Sequence, residues 1–169
     1  YPKEHYDKGM ALITVPTTRN FANALNPAIK SLNYLNNILA KIEAKIGGCE
    51  EAIMLNPEGN VAECTGDNVF IVSDELILTP PTSAGALRGI TRGVVIDLAR
   101  EAGHVVNEPN LARYDLYNAN ECFITGTAAE IVPIVKIDGR VIGSGRPGKV
   151  TRKLIANYRA LTQVSGEAI

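Results

Sequence analysis

The chain has 169 residues, 46% of them hydrophobic and 21% charged, with a formal net charge of −1. That is enough apolar material for one packed globular domain, and the near-neutral balance leaves no electrostatic footprint for nucleic acid or an anionic membrane. No apolar run approaches the roughly 20 residues of a membrane span, and Cys49, Cys64 and Cys122 with His5 and His104 make neither a disulfide framework nor a metal-ligand spacing. No metal is therefore expected, and a reducing compartment, the cytoplasm, is the expected location.

The polar opening YPKEHYDKG reads as the middle of a longer protein. MALITVPTT alternates β-branched residues and closes on Pro16, which predicts a strand. A helix is expected over about 31–46, with Leu32, Leu35, Leu39, Ile42 and Ile46 forming one apolar stripe and Lys41, Glu43 and Lys45 on the solvated side. GGC ends it. EAIMLNPEGNVAECTG predicts a hairpin around Asn-Pro-Glu-Gly, and NVFIV with LILTP a second one around SDE. PPTSAGALRG is a loop that feeds a helix over about 91–101, with Val94, Val95 and Leu98 on one face. HVVNEP is a strand, ARYDLYNA a short helix, ECFITG a strand, IVPIVKIDGRVIG a hairpin with an Asp-Gly turn, and 150–162 a final helix. There is no repeat and no linker. Strands and helices mix without regular βαβ alternation, which predicts the α+β class with an antiparallel or mixed sheet.

Several positions carry possible chemistry. Lys30 stands at the expected helix start, where the positive end of the dipole disfavours a cation, and Tyr34 lies four residues on. Glu63 sits among apolar and small residues, either as an exposed hairpin charge or as a buried acid with one specific partner. Thr91 opens a helix whose first amides can hold an anion, or simply caps that helix. TGTAAE, 125–130, offers hydroxyls and amides at a turn. Near the C-terminus Gly143, Gly145 and Gly148 fit G-x-G-x-x-G and run into Lys149, but Val150 replaces the Ser or Thr of a phosphate loop, and Thr151 comes one place late. A glycine-rich loop entering the last helix is the better reading there. A lysine, an isolated acid and two anion-accepting loops are together what pyridoxal phosphate needs: an amine for its aldehyde, an acid for its ring nitrogen, and amides and hydroxyls for its phosphate.

The segments NPAIKSLNYLNNILA, LNPEGNVAECTGDNVFIV, TPPTSAGALRGITR and FITGTAAEIVPI stand in the order and spacing of one family. From about Arg19 to the last helix the chain resembles the class IV, or fold type IV, pyridoxal phosphate aminotransferases, and among them the branched-chain amino acid aminotransferases. The resemblance implies a large cofactor-binding domain over 1–169, a pseudo-barrel of mostly antiparallel and mixed strands flanked by helices, without the family's small N-terminal domain. It implies that Lys30 bonds the cofactor and moves the substrate α-proton, and that Tyr34 meets the cofactor's phenolic oxygen from the same helical face. Glu63 would hold the ring nitrogen protonated, and Leu87 would pack on the ring. Ile90, Thr91 and Thr127 would hold the phosphate, with Thr127 and Ala128 amides facing the substrate carboxylate. The implied reaction is transfer of the amino group of leucine, isoleucine or valine to 2-oxoglutarate, by a dimer or higher homo-oligomer. The small domain supplies a phosphate-binding arginine and much of the side-chain pocket in the family, so little turnover is expected of this chain by itself. D-amino-acid aminotransferase and aminodeoxychorismate lyase share the lysine and the acid, and a non-catalytic cofactor-binding or assembly module is the alternative from another class.

Overall fold

The computed structural model describes residues 1–165. Helix α1 (Lys3–Lys8) leads into β1 (Met10–Thr14), then α2 (Ala22–Leu25), a 3-10 turn (Pro27–Ile29) and α3 (Leu35–Ile46). Strands β2 (Glu51–Leu55), β3 (Val61–Cys64), β4 (Asn68–Ser73) and β5 (Leu76–Leu78) follow, with a second 3-10 turn (Thr82–Ala84) before α4 (Ile90–Glu101). The chain ends through β6 (Val105–Asn107), α5 (Arg113–Tyr117), β7 (Glu121–Gly126), β8 (Glu130–Ile137), β9 (Arg140–Val141) and α6 (Lys149–Thr162).

The strands form one mixed sheet in the order β3-β2-β1-β8-β7-β4-β5-β6, with β9 added to β8. The three expected hairpins are present and antiparallel: β2 with β3, β4 with β5, and β8 with β9. The parallel pairings of β1 with β2 and β8, and of β5 with β6, have no local signature. Four strands lie between β3 and β4 in the sheet, yet only Thr65, Gly66 and Asp67 join them. On a flat sheet the gap would be about 24 Å, whereas that link reaches at most about 14 Å. The sheet therefore curls until β3 returns to β4, where the Cys64 N–H donates to the Asp67 carbonyl at 2.8 Å.

The curl separates two kinds of core. Alternate residues Met10, Leu12, Ile53, Val69, Ile71, Ile124, Val132 and Ile134 meet in its interior. Their neighbours Phe70, Phe123 and Ile131 point outward under α4 and α6, where the two phenylalanine rings stack at 5.0 Å. In α4 the buried apolar residues are Val95, Ile96 and Ala99, so the buried stripe lies slightly off the expected one; Leu98 is only partly covered.

Two expectations fail around α3. The helix begins at Leu35 rather than 31, because Lys30 ends the Pro27–Ile29 turn with φ 51, a left-handed conformation that a continuing helix cannot contain. Its large apolar residues also do not face the sheet. Asn37, Ala40 and Ala44 are buried against β1 and β2 with Val15, Ala52 and Met54, while Leu35, Ile38, Leu39, Ile42 and Ile46 lie on the outer side. Small residues let the helix approach the sheet closely. The opening segment, for which the sequence offered no element, folds into α1 with a Glu4–Lys8 pair one turn apart at 2.8 Å.

Candidate active site

The β3–β4 turn and the segment before α4 meet at Glu63. This carboxylate is 5% exposed, so of the two sequence readings the buried acid with a specific partner is the one realised. Its Oε1 accepts from the Arg19 guanidinium, and its Oε2 accepts from the Asn68 amide at 2.8 Å and the Leu87 N–H at 3.0 Å. Burial pushes the Glu63 carboxyl up to about 7, against the opposing pull of Arg19, the Leu87 bond and Lys30 and with a smaller push from Asp67. Lys30 is thus close enough for its charge to be felt at Glu63.

Lys30 and Tyr34 line one narrow cleft together with Arg19 and Asn37. They do not share a helical face, as their spacing suggested. Lys30 is exposed and left-handed on the 3-10 turn, and Tyr34 is the N-cap of α3; the loop between them, not a helix, places both side chains at the cleft. The Tyr34 hydroxyl donates to the Thr65 carbonyl, which also accepts from the Asn37 amide at 2.7 Å. Burial raises the Tyr34 phenol above its ordinary range.

Thr65 is held in turn by the buried Glu51, whose carboxylate accepts the Thr65 N–H at 3.0 Å and its hydroxyl at 2.5 Å. Glu51 also takes Lys41 at 2.9 Å. Beyond Tyr34 lies a cavity of about 470 Å³ whose wall includes Tyr1, Ile38, Asp67 and Ala128. The Tyr1 hydroxyl donates to Asp67 at 3.0 Å, and burial together with the Glu51 charge pushes the Asp67 carboxyl up to about 6.

The helix start at α4 and the glycine-rich entry to α6 differ in one respect. At α4, Gly89 is the N-cap, and among the described residues no side chain accepts a hydrogen bond from the first-turn amides at Ile90 and Thr91. Thr91 is buried inside that first turn and is not the cap; Ile90 is 81% exposed. At α6 the corresponding amides are taken: Glu121 accepts Val150 N–H at 3.1 Å, Thr151 N–H at 2.8 Å and the Thr151 hydroxyl at 2.7 Å. A Cβ at Gly148 would collide with that same carboxylate. The G-x-G-x-x-G stretch is a glycine loop that lets Glu121 cap α6, and an anion there would face a carboxylate.

Thr127 and Ala128 form the exposed β7–β8 turn. Ala128 lines the large cavity with Tyr34, and neighbouring Gly126 packs on the Asp67 carboxylate. Leu87 is half-buried beside Glu63. Lys30, Tyr34, Glu63, Leu87, Ile90, Thr91, Thr127 and Ala128 thus all lie at one end of the curled sheet. Sequence reasoning missed Arg19, Asn37, Glu51, Thr65, Asp67, Asn68 and Tyr1. Their partners lie 5 to 66 positions away, and no spacing announces them. Among the described residues no His, Cys, Asp and Glu group could hold a metal ion.

Residues 1–137 match the family model for amino-transferase class IV. The branched-chain-amino-acid aminotransferase of Pseudomonas aeruginosa is 44% identical over 167 residues, 98% of this chain and 54% of that protein. The crystal structure of the Escherichia coli branched-chain amino acid aminotransferase superposes with a TM-score of 0.92 at 38% identity, covering 95% of this chain and 53% of that one. That of Thermobaculum terrenum, in its PLP form, gives 0.90 at 42% identity over 95% and 53%. The chain spans about half the length of the relatives it matches.

Proposed function

Since this chain belongs to the class IV amino-transferases, we propose that it carries the pyridoxal 5′-phosphate site of an enzyme transferring the amino group of branched-chain L-amino acids to 2-oxoglutarate. The observation that carries the reading is the pairing of an uncapped helix start with a buried acid. Leu87 binds Glu63, and three residues on, α4 opens with free amides. A phosphate and a ring nitrogen at the two ends of one small molecule match that arrangement. The donor set fits pyridoxal phosphate: a primary amine at Lys30 without a salt-bridge partner among the described residues, a phenol at Tyr34, an acid at Glu63, and amides at Ile90 and Thr91 with the Thr127 hydroxyl.

When bound, this cofactor supplies an aldehyde that links to amines and a ring that accepts an electron pair. The protein's own part is positional and protonic. Lys30 would provide the amine for the link and, once free, would carry the proton off the substrate α-carbon. Glu63 holds a proton at the ring nitrogen, which keeps the ring an acceptor. Tyr34, which now donates to the Thr65 carbonyl, would donate to the phenolic oxygen instead, with Asn37 left to satisfy that carbonyl. Leu87 would pack on the ring. Thr127 and Ala128 amides orient the substrate carboxylate beside the 470 Å³ cavity. Cytoplasmic location and homo-oligomeric assembly belong to the same proposal; no helix among the described residues is long and apolar enough to cross a membrane.

Reducing a mixture of the chain and pyridoxal phosphate with borohydride, then mapping the label by mass spectrometry, tests the reading. It requires the pyridoxyl mass on Lys30, lost in Lys30→Ala. Label scattered over Lys3, Lys8, Lys149 and Lys153 at the same yield as on Lys30 would overturn it.

A further inference from the structure

An ionised carboxylate has about four lone-pair positions for hydrogen bonds. At Glu63 three are filled: one on Oε1 by Arg19, and two on Oε2 by Asn68 and Leu87. The position left open lies on Oε1, the oxygen that Arg19 holds. Arg19 is itself fixed. It is 5% exposed, its Nε donates to the Gly85 carbonyl at 3.0 Å, and Gly85, with φ 99, brings its backbone against the arginine side chain.

We propose that Arg19 is a positioning residue for the cofactor's ring nitrogen: clamped between Gly85 and Glu63, it keeps the acid charged and aims the open lone pair of Oε1 at the ring N–H. The proposal rests on the pyridoxal phosphate reading above. Its physical content is a choice between two arrangements. With the guanidinium present, Oε1 is a weakly basic acceptor and an N–H brought to it keeps its proton. Without it, the buried acid takes up a proton itself, and an O–H then opposes an N–H, donor against donor. The charges facing Glu63 from every side are Arg19, Lys30 and Asp67, with the Tyr34 phenol nearby. Burial and Asp67 favour the neutral acid; Arg19 is the larger of the two opposing cations. Removing that cation leaves burial and Asp67 opposed only by Lys30 and the Leu87 bond, which moves the acid towards its neutral form.

The test is a carboxyl ¹³C titration of Glu63 in the chain without cofactor, assigned with Glu63→Gln. Arg19→Gln is expected to raise the Glu63 midpoint by at least about one unit, a tenfold change in the charged-to-neutral ratio at fixed pH; Arg19→Lys is expected to restore most of it. A role confined to tying Gly85 in place would lower the melting temperature in both variants and leave the midpoint where it is, which would overturn the proposal. Should Arg19→Gln not fold, the parent decides: the Arg19 side-chain ¹⁵N–H signals must shift with the Glu63 midpoint and lose that step in Glu63→Gln. Signals without the step overturn the proposal. Borohydride labelling of Lys30 is read separately. A failed label with a moved midpoint removes the cofactor reading and leaves the ion-pair control of Glu63 standing, whereas a good label with an unmoved midpoint removes Arg19 alone.

Discussion

The inverted burial of α3 makes a sharp prediction about stability. Ala44 is 0% exposed and packs among Val15, Ala52 and Met54, so Ala44→Leu forces new methylenes into a filled space. Such overpacking costs about 1–3 kcal/mol. Ile42 is 49% exposed and Ile46 82%. Full burial of an isoleucine is worth about 1.5–3 kcal/mol, so truncating the half-buried Ile42 forfeits roughly 1 kcal/mol. Alanine's better helix propensity returns about 0.4 kcal/mol of that. Ile42→Ala is therefore expected to cost about 0.5 kcal/mol, and Ile46→Ala close to nothing. In a chain of this length about 1 kcal/mol moves the melting temperature by roughly 2–4 °C. Ala44→Leu should then lower it by about 2–12 °C, and Ile46→Ala by less than about 1 °C. Helical circular dichroism followed through heat and urea reads all three variants, at two protein concentrations tenfold apart so that self-association is seen as a shift. If Ile42→Ala and Ile46→Ala destabilise as much as Ala44→Leu, the outer face of α3 is a core face and the alanine face does not set the packing of this helix.

Glu121→Ala strips the first turn of α6 of its three bonds and should cost on the order of 2 kcal/mol, seen as a lower melting temperature, with Glu121→Gln intermediate. No saturable ATP binding is expected in a calorimetric titration, because that carboxylate occupies the helix start; binding abolished by Lys149→Ala would restore the phosphate-loop reading. Asp67 has a distinct pH signature. Its folded carboxyl is pushed up to about 6 from 3.8, so between those values the native state keeps a proton that the unfolded chain has released, and stability falls as pH rises through that window. The loss is at most about 3 kcal/mol. Asp67→Asn should remove it, so urea midpoints of the variant should improve relative to the parent from pH 4 to pH 7; an unchanged difference would contradict the buried-acid account.

Much of this architecture is local and was legible in the chain. The alternation in NVFIV sends Val69 and Ile71 one way and Phe70 the other, and the Asn-Pro-Glu-Gly and Asp-Gly turns set their hairpins by chain geometry within a few residues. The four family segments supplied the residues of the proposed site, and the structure sets Lys30 with Tyr34, Glu63 with Leu87, and Tyr34 with Ala128 side by side. What no local pattern contains is which partner arrives from far along the chain. Helical periodicity marked an apolar stripe on α3 but not its direction, because what approaches β1 and β2 is decided by how closely a backbone can come, and alanines allow closer contact than isoleucines. Lys30 was placed on a helix by spacing, and its left-handed backbone takes it off. The glycine-rich entry to α6 read as a loop rather than a phosphate site, and tertiary structure gives the reason by filling that helix start with Glu121, 29 positions upstream. Glu63 was an acid of undecided exposure until the curl of the sheet brought Arg19, 44 positions away, against it. Composition and periodicity set the elements through short-range sterics and amphipathicity. Charge state, open amides and the direction of a lone pair are set by contacts across the fold, and those exist only once the sheet has curled.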